Sequence, residues 1–328
     1  MMGSQLYAGI LEHALAEYRG RGPLHAFFER DGESATLSTP AIRLMGALHY
    51  LALTGEAPEL AKHLPSCGGD RDARAAWRAG SALLETRADR IAELYAQTPQ
   101  TNEVARAIVL LGGLCVLARA YRLPVRLFEI GASAGLITRL DRYFYSGTDW
   151  HWGDASSPLR LHGDVKSGRP RLEALTIVER AACDLHPLDI GNAEHRIRLL
   201  SFVWADQLDR IERLRAAFEA AARLAFVVEE ADMFAWLRER VSPKAGTATV
   251  VMHSLTAEHL SREQRAELVA AIAQIGERAS ADAPVAWLRL ELNYASKGYE
   301  TTLTTWPGAR EQLIARSTAH AQGIEWAA

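Results

Sequence analysis

The rhythm of apolar and polar positions changes near residue 124. Before that point the spacing is helical. Ala41 to Leu53 places Ile42, Met45, Leu48 and Leu51 or Ala52 on one face, and Asp72 to Ala96 repeats the stripe with Trp77, Leu84, Ile91 and Leu94. A third helix is expected from the N-cap pair Thr101-Asn102 to about Ala120. It is almost wholly apolar, which predicts a buried element, and its Gly112-Gly113 pair weakens propensity while permitting close packing. Pro124 ends it.

From Val125 onward, short β-rich runs alternate with amphipathic stretches. Val125 to Ile130, Thr176 to Cys183, Ala225 to Glu229, Thr247 to Met252 and Val285 to Glu291 are strand candidates. Leu136 to Tyr145, Glu194 to Ala222, Asp232 to Arg240 and Ser261 to Ala279 are the helices expected between them. This alternation predicts an α/β fold with a mostly parallel sheet. Thr301 to Trp306 and Gln312 to Ser317 flank Pro307-Gly308 and predict an antiparallel hairpin at the sheet edge. Trp150 to Val165, inside the stretch 148–168, reads as a small inserted hairpin. The expected division is a helical region over 1–122 followed by the sheet-containing core over 123–328.

Length and composition fit that picture. At 328 residues, 48% hydrophobic and 23% charged, the chain has the make-up of a globular protein of about two structural units. The unbroken apolar run Ala107 to Ala118 is shorter than the ~20 residues of a membrane span. No secretory apolar segment opens the chain. Residues 1–120 hold 12 Lys and Arg against 13 Asp and Glu, and the remainder 25 against 27, so neither part forms the basic face of a nucleic-acid binder. Cys67, Cys115 and Cys183 are widely separated and in no C-x-x-C pair, as expected in a reducing compartment without a disulfide or zinc framework. A soluble cytoplasmic protein acting on a small molecule, with no nucleic-acid, membrane or metal partner, is expected.

The chemistry concentrates where the first strand meets its turn: Glu129-Ile130-Gly131-Ala132-Ser133-Ala134-Gly135-Leu136. As G-x-S-x-G it satisfies the nucleophile-elbow pattern, with Ser133 as nucleophile and His253 or His320 as base. As E-x-G-x-S-x-G it resembles the first motif of Rossmann-like class I methyltransferases, with Ser133 in place of the middle glycine. A third reading is a turn that only packs a helix tightly on a strand. Leu136 excludes the dinucleotide fingerprint, because it stands where that pattern needs its third glycine. Position favours the second reading, since a hydrolase elbow follows earlier strands and here only helices precede Val125.

The later strand ends agree with it. Cys183-Asp184-Leu185-His186-Pro187 resembles the strand ending with which many methyltransferases present a carboxylate to two ribose hydroxyls, although Asp184 also suits a turn cap. Asp232-Met233-Phe234-Ala235-Trp236-Leu237 resembles the segment whose Asp accepts the adenine amino group while its neighbour covers the ring, and Asp232 is equally an ordinary N-cap. His253, at the end of the fourth strand, is a candidate general base or a structural histidine. The resemblance implies S-adenosylmethionine as cofactor, held by Glu129, Gly131, Ser133, Gly135, Asp184, Asp232 and Met233.

Gln100-Thr101-Asn102-Glu103-Val104, the Glu129 to Leu136 turn, Trp152-Gly153-Asp154, Cys183-Asp184-Leu185, Trp204-x-Asp206-Gln207 and His253-Ser254 together resemble the bacterial domain-of-unknown-function family 2332. So do Ala47-x-His49-Tyr50-Leu51 and Thr305-Trp306-Pro307-Gly308. Ile137 and Ala205 depart from that pattern. The resemblance implies a helical N-terminal region fused to a methyltransferase-like Rossmann core. Asn102, Glu103, Trp204 and Asp206 are assigned to the substrate side, with helix capping for the first pair and core packing for Trp204 as the other roles. The resulting expectation is an S-adenosylmethionine-binding protein that methylates a small molecule, against a Ser133 hydrolase and a non-catalytic Rossmann-like binding module.

Overall fold

The structure, a computed structural model, describes residues 3–30 and 38–327. The chain divides into two compact units, one made of residues 1–101 with 191–215 and the other of 102–190 with 216–328.

The first unit is helical. Its elements are α1 (Gln5–Arg19), α2 (Pro23–Arg30), α3 (Pro40–Leu53), α4 (Pro58–Ala61), α5 (Ala73–Thr86) and α6 (Ala88–Ala96). The stripe expected over Asp72 to Ala96 is thus two helices. Thr86 Oγ donates back to the Ala82 carbonyl and Arg87 leaves helical geometry at φ −135°, a break that apolar spacing alone does not reveal. Leu44, Met45, Leu48, Leu51, Trp77, Leu84, Ile91 and Tyr95 form much of its buried core.

The second unit begins with α7 (Ala107–Tyr121), preceded by a 3-10 turn at Val104–Arg106. By its packing α7 belongs with the sheet: a Cβ on Gly113 would stand 2.4 Å from Leu288 and one on Gly112 2.3 Å from Trp326. The division at 101 rather than 122 follows from that close approach, which only glycine permits. Together with the 3-10 turn it makes an apolar stretch, Val104–Tyr121, long enough by composition to cross a membrane, but most of that stretch is buried, as in a core helix.

The strands that follow are β1 (Val125–Ile130), β2 (Phe144–Ser146), β3 (His151–Gly153), β4 (Arg160–His162), β5 (Val165–Ser167) and β6 (Ile177–Asp184). The helix expected over Leu136 to Tyr145 is replaced by a 3-10 turn, Ile137–Arg142, and then β2. Tyr143 and Tyr145 cause the change by burying their rings and donating their hydroxyls to the Leu136 and Leu140 carbonyls. The insertion forms its own sheet, β3-β2-β4, while β5 joins the main one.

Next come α8 (Ala193–Ser201), which returns to the first unit, and α9 (Leu208–Ala222), which crosses into the second. They replace one expected helix because Phe202, Val203 and Ala205 turn into the core between them. The chain then runs β7 (Glu229–Glu230), α10 (Met233–Arg240), β8 (Ala248–Ser254), α11 (Arg262–Gly276), β9 (Val285–Asn293), β10 (Gly298–Trp306), β11 (Arg310–Ser317) and β12 (Ile324–Trp326).

The main sheet has nine strands in the order β5-β12-β11-β10-β9-β8-β1-β6-β7. Strands β7, β6, β1, β8 and β9 are mutually parallel, and β10 to β12 continue antiparallel. The expected hairpin is present as β10–β11, but β12 and β5 lie beyond it, so it is not the edge. In the parallel part β1 has β6 on one side and β8 on the other. That reversal of strand order is where open α/β sheets bind ligands, outside the carboxyl ends of their strands.

Candidate functional site at the carboxyl edge of the parallel strands

The turn after β1 departs from ordinary backbone geometry at three residues. Gly131, Ser133 and Gly135 have φ of 65°, 54° and 64°, the left-handed region that a serine enters only under constraint. The two glycines serve packing. A Cβ on Gly131 would stand 2.7 Å from Thr256, and one on Gly135 2.8 Å from Val228. Backbone bonds then fix the turn: Ala132 N–H donates to the Cys183 carbonyl in β6, Gly135 N–H to Ala132 within the turn, and Leu188 N–H, from the segment after β6, to Ser133.

Asp184 adds to these bonds. Its Oδ2 accepts from Ser133 N–H at 2.8 Å and its Oδ1 from His186 N–H at 2.9 Å. The turn-capping role expected as one alternative is therefore realised, and each oxygen keeps a further lone pair for a ligand. Arg139, buried behind the turn, donates to the Ala134, Gly135 and Phe226 carbonyls and lies 4.8 Å from the Phe226 ring. It holds the loop before β7 against the turn after β1.

Glu129 is 3% exposed and accepts from the Thr138 hydroxyl. Burial pushes its carboxyl up to about 8, against the opposing pull of Thr138 and of the Arg139 charge. At neutral pH it is chiefly a neutral acid, where the sequence suggests a carboxylate. Asp232 caps α10, accepting with Oδ1 from Phe234 and Ala235 N–H at 3.0 Å each. The residue is exposed and the cap uses one oxygen only. Met233 is half-buried against the Phe128, Phe234 and Trp236 cluster.

His253 is a correction. Its Nε2 accepts from Trp287 Nε1–H at 2.9 Å, so Nδ1 carries the proton and donates to Glu291 at 2.7 Å. The ring is 1% exposed with both nitrogens engaged, and it presents no base to a ligand. Its role is to fix Glu291, whose Oε1 also accepts from Thr256 and Ala257 N–H. Burial raises Glu291, but the bonds from His253, Ala257 and Thr256 outweigh it and hold the carboxyl below its usual value.

Asn102 donates its amide to the Ala132 carbonyl at 3.0 Å, which places it at the turn, and Glu103 accepts from Ala105 N–H as the cap of the 3-10 turn. Trp204 and Asp206 belong to the first unit, where Trp204 lies 4.3 Å from the Tyr7 ring and Asp206 accepts from Leu6 N–H. His320 stands in the β11–β12 connection.

The family model described as "Uncharacterized protein conserved in bacteria (DUF2332)" matches residues 1–326. The chain belongs to the DUF2332 family. No curated protein and no solved structure matches it. In this DUF2332 chain Glu129 lies in β1 and Asp184 ends the neighbouring β6, while Asp232 follows β7, the next strand over, by two residues. Thr256, Trp287, Glu291 and the Arg139 contact to Phe226 escape the sequence because their partners lie far away in it, and Thr138, nine residues from Glu129, escapes because no motif marks it. Leu185 had a signal: an apolar residue directly after a strand-end acid, here 56% exposed. Among the described residues no group of three His, Cys, Asp or Glu is arranged to hold a metal.

Proposed function

We propose that this DUF2332 chain binds S-adenosylmethionine at the carboxyl edge of β1, β6 and β7 and transfers its methyl group to a small molecule. The observation that carries the reading is the strand order β7-β6-β1-β8-β9, all parallel, with Glu129 one residue before the end of β1, Asp184 ending β6 and Asp232 two residues beyond β7. A further observation concerns fit. Asn102 Oδ1 is buried with no donor among the described residues, beside the turn that its own amide holds. An unmatched acceptor at the turn that follows the strand carrying a buried neutral acid suits an incoming ammonium.

In this reading Glu129 and Asn102 receive the amino group of the methionine part, and Glu129 ionises as it does so. Asp184, fixed by two backbone N–H groups, takes the ribose hydroxyls with its remaining lone pairs. Asp232 takes the adenine amino group with the oxygen that the cap does not use, and Met233 and Leu185 supply apolar cover to the ring. The cofactor supplies an electrophilic methyl group when bound. The residues contribute position, and orientation alone is worth several kcal/mol. A hydrolase at Ser133 receives no base from His253, both of whose ring nitrogens are engaged.

The test is equilibrium binding of S-adenosylhomocysteine to the wild type and to Asp232→Ser, which keeps a cap oxygen and removes the second one. The expected result is micromolar affinity weakened at least about tenfold in the variant, as for loss of one charged hydrogen bond. Absence of binding at millimolar ligand would reject the reading. Binding without transfer to any of a broad panel of amines, thiols and hydroxyl compounds would leave a binding module.

A further inference from the structure

The first unit contains a second arrangement that the site above does not use. His49 lies in the middle of α3 and is 1% exposed. Its Nδ1 is 3.1 Å from the Ser201 carbonyl, which only accepts, so Nδ1 carries the proton. Nε2 is then the unprotonated nitrogen, and Ser66 Oγ donates to it at 2.8 Å. Hydroxyl, imidazole and orienting acceptor thus stand in series, as in an activated serine.

Access and surroundings limit what this arrangement can do. Beside His49 the protein leaves only about 10 Å³ of space, walled by Met45, Leu48, Leu60, Leu64 and Trp77, too little for a substrate. Ser66 itself is half-buried and its neighbour Cys67 is exposed, so an electrophile approaches from the Cys67 side. The backbone N–H groups of Ser66, Cys67, Gly68 and Gly69 all donate to carbonyls, of Ala205, Leu64, Pro65 and Leu64 respectively. None is left to stabilise an oxyanion. The arrangement supplies a nucleophile and a proton acceptor without the group that makes turnover fast.

The geometry points to Ser66 as an activated nucleophile that takes an acyl group from a small activated ester and releases it slowly. Ser66 Oγ forms the new bond to the ester carbonyl carbon while its proton passes to His49 Nε2. The ester C–O bond then breaks, and the departing alkoxide receives that proton. Water repeats the sequence on the acyl-serine, without oxyanion stabilisation and therefore slowly. Desolvation holds His49 down at about 4, so the ring is unprotonated near neutrality but a weak base, which slows both acylation and release.

The test is labelling of the full-length protein with a fluorophosphonate, followed by intact-mass measurement and peptide mapping. The expected result is one adduct, mapped to Ser66, absent in Ser66→Ala and formed at least about tenfold more slowly in His49→Gln. Mapping on the wild type needs no variant to fold. A serine that merely pins a core histidine stays unlabelled while trypsin in the same reaction is modified, and that result would overturn the inference. So would an adduct mapped elsewhere, Ser133 included, or a folded His49→Gln protein that labels as fast as the wild type.

Discussion

His49 in the helical unit and Glu129 in the sheet unit are built alike and respond oppositely. Each is almost wholly buried, each has a hydroxyl partner, Ser66 or Thr138, and in each burial is the largest influence and favours the neutral form. For the base this means a fall from 6.5 to about 4, and for the acid a rise from 4.5 to about 8. The unfolded chain takes up a proton at His49 before the folded one does, so the stability linked to it is present above 6.5 and lost as pH falls toward 4. At Glu129 the unfolded chain loses its proton first. That contribution is present below 4.5 and lost as pH rises toward 8. The same desolvation therefore gives the helical unit an acid weakness and the sheet unit an alkaline one.

The largest expected effect is on the alkaline limb. Glu129→Gln removes the ionisation, and the fall in unfolding free energy between pH 4.5 and 8, up to about 5 kcal/mol by linkage, should vanish from urea denaturation curves. An unchanged slope would mean that Glu129 is ionised in the folded protein. His49→Gln should correspondingly remove an acid-side loss of up to about 3 kcal/mol between pH 6.5 and 4 while leaving the alkaline limb intact. Loss of both limbs in either variant would break the comparison.

Smaller changes sharpen it. Thr138→Val deletes the hydroxyl that favours ionised Glu129, so it should cost about 1 kcal/mol at pH 7 and carry the alkaline limb to higher pH. Ser66→Ala should cost about 1 kcal/mol or less, because Ser66 is half-buried and water can replace its hydroxyl. Thermal melts of the two variants side by side give the order.

Local signals made much of this molecule legible. Strand β1 has the expected limits, because Pro124 and the glycine turn bound it on either side. Asp232 and Ser261 start their helices as N-caps, the role their short polar side chains suit. The acids at or near adjacent strand tips were readable because strand ends in an alternating pattern fall on one edge. What escaped is long-range. Arg139 reaches Phe226 across 87 residues, and Glu291 is fixed by His253 from 38 residues away. His253 reads as an available base until Trp287 is seen to occupy its second nitrogen. His49 was marked by family resemblance, but nothing in its spacing points to Ser66. The divided helices escaped too, since an apolar stripe keeps its period across a break.

The central claim is that the β1–β6–β7 edge takes a ligand carrying an ammonium, with Glu129 giving up its proton to receive it. Calorimetric titration of S-adenosylhomocysteine at pH 7, in two buffers of different ionisation enthalpy, measures binding and proton release together. The account predicts micromolar binding at one site with close to one proton released, and no release in Glu129→Gln. Binding with no proton released by the wild type would contradict the role of Glu129, and no binding at millimolar ligand would contradict the site itself.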